Sequence, residues 1–360
     1  MKIAMFTNVT AFEVPGGAEI YFLNLLNELK QLSSQQNIEV DFYNPLHKSI
    51  KYYDIAVFYN SAAHSVSAYD FLSLAKREKK KTINVPVYFS LYYTFNNIEK
   101  ILYTMGLFFV RLYIKRVGIL LRSKLEFFYK SLDLADLILV SGIGEMNALA
   151  KDFKVNVKHI DILPVAVEDT FARASPDLFV EKYGINDFIL YVGKIARRKN
   201  ILNLIKAYRI INIDIPLVII GHIGESDYYQ QLIEYIKKYN LTNRILIIPG
   251  LSHSSNLLAS AYAASRVLVL PSFYETPGIA ALEAALAGAN IVITMYGTTM
   301  EYFRDYALYI DPFDVKDIAK KLRIAINMPR PNEALREYIL NNFTYESVAK
   351  RFLEIIQKLF

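Results

Sequence analysis

Two glutamates with different surroundings lie close together in VLVLPSFYETPGIAALEAALAGANIVIT, residues 267–294. Glu275 lies in a short polar segment after an apolar run that predicts a strand. Glu283 lies eight residues later, inside an apolar segment that predicts a helix. A helix that is apolar on all sides is a buried helix. Because burying an unpaired carboxylate costs several kcal/mol, Glu283 needs a hydrogen-bond donor, a cation or a ligand as partner. An internal salt bridge is one of these alternatives.

The start of this helix predicts an anion site. Thr276 suits the N-cap, Pro277 suits the first helical position, and Gly288 suits the C-terminal end. Free backbone N–H groups and the helix dipole favour an anion such as phosphate at a helix N-terminus. Carboxylates accept hydrogen bonds from sugar hydroxyls. Glu275 and Glu283 beside this helix start therefore indicate a site for a nucleotide sugar.

A basic segment, GKIARRKN at residues 193–200, adds positive charge. It follows a predicted strand and opens a predicted helix, for which Asn200 is a plausible N-cap. Cations placed this closely repel one another unless they are solvated or face an anion. A diphosphate fits the segment, and a solvated basic loop is the alternative. Gly250, which follows another predicted strand, could flank a base or a sugar.

The N-terminal part of the chain carries another glycine loop after its first predicted strand, residues 2–6. Gly16 and Gly17 precede a predicted helix over 20–31, where backbone without side chains can approach a ligand. The segment lacks a full G-x-G-x-x-G, so a plain tight turn is the alternative to a phosphate loop. A later predicted strand, residues 86–91, leads to Tyr92. The carboxyl edge of an open α/β sheet is where ligands bind.

Strands and helices alternate throughout the chain, as is typical of a parallel, doubly wound α/β sheet. The alternation occurs twice, on the two sides of a polar, irregular connection near residues 169–187. We therefore predict two Rossmann-like domains facing a cleft, residues 1–168 and 169–341.

Composition narrows the class of protein. The 360 residues include no cysteine, which excludes disulfides and thiolate chemistry. No apolar stretch reaches the roughly 20 residues of a membrane span, and the N-terminus lacks the apolar core of a signal peptide. We predict a cytoplasmic protein.

Residues 98–122 predict a helix with two apolar faces and a basic seam. Such a helix can offer one face to a membrane surface or a lipid chain. Residues 98–130 hold seven Lys and Arg against two Glu, a net charge of +5 in a chain of +6. We predict a peripheral contact with the inner membrane face through 98–122; a helix between core layers is the alternative. Nucleic-acid binding is not expected, because basic residues do not recur along the chain.

The ordered set of motifs resembles the retaining glycosyltransferases of family four, which have the GT-B fold. The resemblance covers most of the chain and is strongest over residues 188–301. It is carried by Gly193-Lys194-Ile195, Lys199, Pro271-Ser272, Glu275, Gly278, Glu283-Ala284, Gly288 and Glu301, with weaker agreement at Gly16 to Glu19, Ser141, Pro164 and Val167.

The resemblance implies a nucleotide-sugar donor, a UDP or GDP sugar, held mostly by the second domain. Lys194 and Lys199 would neutralise its diphosphate, Glu283 would bind the ribose, and Glu275 would hold hydroxyls of the transferred sugar. The remaining donor-binding positions would be Gly16, Gly17, Gly193, Gly250, Pro277, Gly278 and Ile279.

The first domain would hold the acceptor, a glycan or lipid-linked glycan, and a C-terminal helix over 342–360 would pack back on it. The chain has no Asp-x-Asp triplet, so neither a metal clamp nor a further cofactor is predicted. Tyr92, counted with Glu275, Lys194 and Lys199 among the catalytic candidates, stands where the family often has His. Lys194 replaces the family's Arg and Pro277 its Phe.

Two other functions remain open at this point. A nucleotide-sugar epimerase could use the same fold, and a catalytically silent carbohydrate-binding subunit would account for Tyr92 in place of His. A NAD-dependent enzyme is disfavoured by the missing glycine fingerprint and the basic segment.

Overall fold

A computed structural model describes residues 1–8, 12–13, 17–33, 37–89, 119–155, 159–252 and 255–359. The chain divides into two compact units. Unit 1 is Met1–Ala166 with Tyr345–Phe360, and unit 2 is Val167–Thr344.

Unit 1 contains a six-stranded sheet and helices that alternate with its strands. The elements are β1 Lys2–Phe6, α1 Gly17–Ser33, β2 Glu39–Phe42, β3 Ile55–Tyr59, α2 Ser65–Arg77, β4 Lys81–Val85, α3 Ile119–Asp133, β5 Leu137–Val140, α4 Ile143–Phe153, β6 Ile160–Ile162 and the C-terminal helix α13 Tyr345–Gln357.

All strands of unit 1 are parallel, in the order β2-β1-β3-β4-β5-β6. Ile3 of β1 is paired with Val40 on one side and with Ile55 on the other. The strand order therefore reverses between β1 and β3, which makes the carboxyl ends of these two strands a topological switch point.

One face of this sheet is covered by α1 and α13 together. Tyr21, Phe22 and Leu25 of α1 share a buried cluster with Phe352 and Ile356 of α13. The last described helix therefore completes the core of unit 1.

Unit 2 repeats the alternation with its own six strands. Its elements are α5 Asp177–Tyr183, β7 Phe188–Val192, α6 Ile201–Ile211, β8 Leu217–Ile220, α7 Ser226–Lys238, β9 Ile245–Ile248, α8 Asn256–Ala264, β10 Ser265–Leu270, α9 Ile279–Leu286, β11 Asn290–Thr294, α10 Thr299–Phe303, β12 Leu308–Ile310, α11 Val315–Ile326 and α12 Glu333–Asn342.

The parallel sheet of unit 2 has the order β12-β11-β10-β7-β8-β9. This is the strand order of a Rossmann fold, and its switch point lies between β7 and β10. Apart from Ser265 and Arg266 at the start of β10, both strands are apolar, and they are largely buried, as expected for a parallel sheet covered by helices. The loops that follow β7 and β10 contain the basic segment and Glu275.

Two predicted elements need correction or fall outside the described residues. The strand predicted at 86–91 is wrong, because β4 ends at Val85. Pro86 has no N–H to donate to a neighbouring strand, and Val87 has a φ of +53° that interrupts the extended backbone. The two-faced helix predicted at 98–122 lies outside the described residues, except that α3 begins at Ile119.

Candidate active site

The ends of β7 and β8 meet through glycines. A Cβ on Gly221 would lie 1.8 Å from the carbonyl oxygen of Gly193, so only glycine allows this approach. Ile195 N–H donates to the carbonyl of His222 at 2.8 Å. A Cβ on Gly224 would meet the aliphatic stem of Lys194 at 2.2 Å. These contacts fix the segment that follows β7 against the loop that follows β8.

Most cations of this segment form ion pairs or hydrogen bonds with other residues of the chain. Arg197 forms ion pairs with Glu225, at 3.4 Å, and with Asp227. Arg198 donates to the carbonyl of Tyr274 at 3.0 Å. Arg197 is therefore neutralised by acids of α7 and the preceding loop, which the sequence did not predict.

Lys194 and Lys199 differ in their surroundings. The Lys194 side chain is exposed, and its ammonium has no ion-pair partner within the described ranges. Lys199 is largely buried, and its Nζ lies 2.5 Å from Oε1 of Glu275. Lys194 therefore carries a charge that no described carboxylate neutralises.

The Lys199–Glu275 pair joins the loops after β7 and β10 at the switch point. The Glu275 side chain is only 5% exposed. Burial alone would raise the pKa of Glu275, but the Lys199 and Arg198 cations outweigh it and hold this pKa below its ordinary value. Burial lowers the pKa of Lys199, and the Arg198 cation adds to this effect against the attraction of Glu275.

Asn200 ties the site to a third loop. It occupies the predicted N-cap position of α6, although its side chain forms no cap hydrogen bond. Its backbone is left-handed, with φ +57°. Asn200 Nδ2 donates instead to the carbonyls of Pro271, at 3.0 Å, and Pro312, at 2.7 Å.

Helix α9 begins at Ile279, two residues after the predicted start. Gly278 has φ +96° and ψ +82°, which no helical residue adopts, so Thr276 is not the N-cap and Pro277 is not in the first turn. The predicted C-terminal end agrees with the structure, since α9 stops at Leu286 and Gly288 has φ +96°. Gly278 and Ile279 thus supply the helix start beside Glu275.

The backbone of Glu275 is held by the loop that follows β11. Its N–H donates to the carbonyl of Tyr296 at 3.2 Å, and Thr298 N–H donates to its carbonyl at 3.0 Å. A Cβ on Gly297 would lie 1.8 Å from that carbonyl oxygen. Glu275 is therefore fixed through both its backbone and its side chain.

Glu283 has an internal partner. It is 2% exposed, and the Tyr262 hydroxyl donates to its Oε2 at 2.6 Å. This hydrogen bond offsets part of the cost of burying the carboxylate. The sequence predicts that Glu283 needs a partner, but it does not identify Tyr262 on the neighbouring helix α8.

Residues 179–342, a little under half of the chain, match the sequence model described as "Glycosyl transferases group 1". Over this span the chain is similar to that family. This span includes every element that holds Lys194, Lys199, Glu275 and Glu283.

Relatives and solved structures agree with this similarity. The chain is 29% identical to O-antigen chain mannosyltransferase B of Escherichia coli over 201 residues, 53% of this chain and 51% of the relative. Over 116 residues it is 33% identical to the N-acetylgalactosamine-N,N'-diacetylbacillosaminyl-diphospho-undecaprenol 4-alpha-N-acetylgalactosaminyltransferase of Campylobacter jejuni, 32% of this chain and 30% of that one. The chain thus spans about half or less of the length of these relatives.

A solved structure shares the fold of this chain over nearly its full length. Anabaena HepE in complex with UDP and glucose superposes with a TM-score of 0.73 at 15% identity, covering 99% of this chain and 100% of that one. The predicted GT-B class, with two Rossmann-like parallel-sheet domains, is confirmed.

The other predicted site positions of the chain are distributed as follows. Gly250 follows β9, has φ +68°, and leaves room for the His222 imidazole, which a Cβ would approach to 2.4 Å. Gly17 is the exposed first residue of α1. Gly16 and Tyr92 lie outside the described residues.

A polar group in unit 1 was not assembled by sequence reasoning. At the β1/β3 switch point, Asn60 donates to Glu19 Oε1 at 3.2 Å, and His64 Nε2 lies 3.9 Å from the same oxygen. Asn8 Nδ2 lies 3.5 Å from His64 Nδ1. The sequence shows Glu19 within the weaker part of the resemblance, and Asn8, Asn60 and His64 in segments that follow predicted strands, but nothing in it connects these residues.

Across the described residues, no helix is both long enough and apolar enough to cross a bilayer.

Proposed function

We propose that this chain transfers a sugar from a nucleotide-diphosphate donor to a glycan acceptor, with retention of the anomeric configuration. The observation that carries the proposal is the buried Lys199–Glu275 pair at the switch point of unit 2, beside the start of α9 and next to the exposed Lys194. Cations and free N–H groups suit a diphosphate, and a fixed carboxylate suits sugar hydroxyls.

Each residue has a distinct role in this proposal. Lys194 neutralises the diphosphate, together with the N–H groups at Ile279 and the glycine backbone at Gly193. Glu275 Oε1 remains bound to Lys199 while Oε2 accepts from hydroxyls of the transferred sugar. Glu283 accepts from the ribose, with its carboxylate oriented by Tyr262.

Lys199 acts on the reaction in two ways. It holds Glu275 in place, and its positive charge stabilises the charge that develops on the departing diphosphate. The bond between the anomeric carbon and the diphosphate oxygen breaks, and a bond to the acceptor oxygen forms on the same face of the sugar. The acceptor proton passes to the departing diphosphate, which balances the reaction without another base.

In this proposal, unit 1 binds the acceptor. A lipid-linked glycan is the acceptor class favoured. The name of the Campylobacter jejuni relative includes a diphospho-undecaprenol substrate. The protein would then work as a peripheral protein at the cytoplasmic face of the membrane. The predicted contact through 98–122 is part of this proposal.

The donor is tested first by thermal shift with UDP, GDP, ADP and their sugars, because a ligand that binds the folded protein raises its Tm. HepE binds UDP in its crystal structure, which makes a uridine nucleotide the first candidate. If no nucleotide raises the Tm, the proposal fails. Product analysis with and without an acceptor then separates transfer from epimerisation, which needs no acceptor. Nucleotide binding with neither transfer nor donor hydrolysis would indicate a silent binding subunit.

A further inference from the structure

A surface groove of about 800 Å³ lies on unit 2 between the last turn of α6 and the outer face of α11. Its lining residues are Ile210, Ile211, Lys316, Ala319, Lys320, Arg323, Ile324, Asn327, Met328 and Pro329. Helices that follow parallel strands run back toward the amino edge of the sheet, and Ile210 and Ile211 end α6. The groove thus runs along α11 from Lys316 in its first turn to Met328 beyond its end, and only its Ile210 and Ile211 end lies toward the amino edge of the sheet.

All charged residues that line the groove are positive. Lys316, Lys320 and Arg323 line it, and none of its described lining residues is acidic. Lys316 and Lys320 are exposed, and neither forms an ion pair with any residue that the structure describes. Because they are four residues apart on α11, both project from the same side of the helix. The groove therefore presents an uncompensated positive edge.

The apolar part of the groove is not needed by the core of unit 2. Ile318 and Leu322 on the inner face of α11 are fully buried and pack the helix on the sheet. On the outer face, Ile324 is 43% exposed, and Ile210 of α6 is 49% exposed across the groove. Two branched apolar side chains are thus held in water beside three cations.

We infer that this groove is a contact surface for an anionic phospholipid membrane. Lysines beside exposed apolar side chains suit the headgroup region of a bilayer, where phosphates meet the upper acyl chain. A folded protein partner is less suited, because a stable protein interface uses roughly 20–30 residues a side and the groove is lined by ten. The inference goes beyond the proposed transfer reaction and involves none of the donor-site residues.

The test is flotation of the full chain with vesicles of phosphatidylcholine alone or mixed with phosphatidylglycerol. The wild-type chain should float only with the anionic vesicles, and added salt should weaken binding. The variant K316E/K320E should bind at least about tenfold more weakly, since each lysine near an anionic surface contributes about 1 kcal/mol. A glutamate at position 316, in the first turn of α11, is compatible with the helix dipole, so this variant should fold.

The matched control is K237E/K238E at the end of α7, which changes the net charge equally at two exposed lysines outside the groove. It should keep most of the binding. A second variant, I210S/I324S, should lose the part of the binding that persists in high salt. A Tm shift by nucleotide that matches the wild type would verify that each variant is folded.

Three outcomes would overturn the inference: no flotation of the wild-type chain, equal loss in the control and the groove variant, or full binding by the groove variant. In the first case the groove would serve a soluble anionic partner instead. None of these outcomes affects the donor assignment, which the nucleotide shift measures separately.

Discussion

Lys199 Nζ lies 2.5 Å from Glu275 Oε1, although 76 positions separate the two residues in the chain. The contact joins the loops that follow β7 and β10, the two strands that flank the switch point of unit 2. Removing one partner of a buried ion pair leaves an uncompensated charge, whereas removing both does not. The pair therefore links the stability of unit 2 to the proposed chemistry.

Glu275→Gln and Lys199→Met should each destabilise the chain by about 3–5 kcal/mol, because each leaves one buried charge alone. The double variant should lose less than the sum of the two. Urea unfolding of all four proteins measures the coupling free energy. Strict additivity would mean that the contact has no energetic role. All three variants should lose transfer activity.

The pH dependence of stability follows from the lowered pKa of Glu275. A carboxyl whose folded-state pKa lies below its ordinary value of 4.5 stabilises the fold above that pH. This contribution is lost as the pH falls through the folded-state pKa. The free energy of unfolding of the wild type should therefore fall more steeply than that of Glu275→Gln below about pH 4.5. Urea unfolding across the acid range checks this, and parallel curves would contradict it.

Gly297→Ala should disturb the site through the Glu275 backbone. The new Cβ would lie 1.8 Å from the Glu275 carbonyl oxygen, so the two loops must separate. Gly184→Ala is the matched control, since Gly184 also has a positive φ, +66°, but has open space around its missing Cβ. Both variants should lose stability through backbone strain, but only Gly297→Ala should also weaken nucleotide binding, measured by calorimetry. Equal affinities in the two variants would argue against the close approach.

Tyr262→Phe removes the hydroxyl that donates to Glu283 and keeps the ring. An unsatisfied buried acceptor costs roughly 1–3 kcal/mol. If Glu283 binds the ribose, this variant should also discriminate less between a nucleoside diphosphate and its 2'-deoxy form. Tyr208→Phe is the control, because the buried Tyr208 donates to the carbonyl of Ile215, a backbone group outside the site. Unchanged discrimination in Tyr262→Phe would restrict Tyr262 to a structural role.

His64→Ala tests the polar group of unit 1. Because His64 lies 3.9 Å from Glu19 at the β1/β3 switch point, its loss should raise the KM for the acceptor and leave the Kd of the nucleotide unchanged. His47→Ala, at an exposed turn of the same unit, should change neither. A weaker nucleotide Kd in His64→Ala would place the histidine on the donor side instead.

The sequence predicts which residues follow the ends of strands, and this places Lys199 and Glu275 on one edge of one sheet. The alternation of apolar strands with helices is enough for that inference, because parallel strands share a carboxyl edge. It is not enough to assign partners. Arg197 is neutralised by Glu225 and Asp227, acids that no motif connects to the basic segment.

The start of α9 shows a second reason why the structure differs from the prediction made from the sequence. Thr276 and Pro277 fit the local preferences of a helix start, but Gly278 adopts a left-handed conformation where the loop passes close to Leu270. The Tyr262–Glu283 contact is likewise set by how α8 and α9 pack together. The conformations of these residues depend on tertiary contacts, which the local preferences of single residues do not predict.

The return of α13 to unit 1 has a consequence for biosynthesis. Because Phe352 and Ile356 complete the cluster around Phe22, residues 1–166 leave a ribosome with an apolar face of α1 still exposed to water. In the sequence, unit 2 lies between the two segments of unit 1, so all of unit 2 can fold before α13 is synthesised. Unit 1 is therefore the first unit to be started and the last to be completed. Until α13 is made, its exposed apolar surface is open to aggregation.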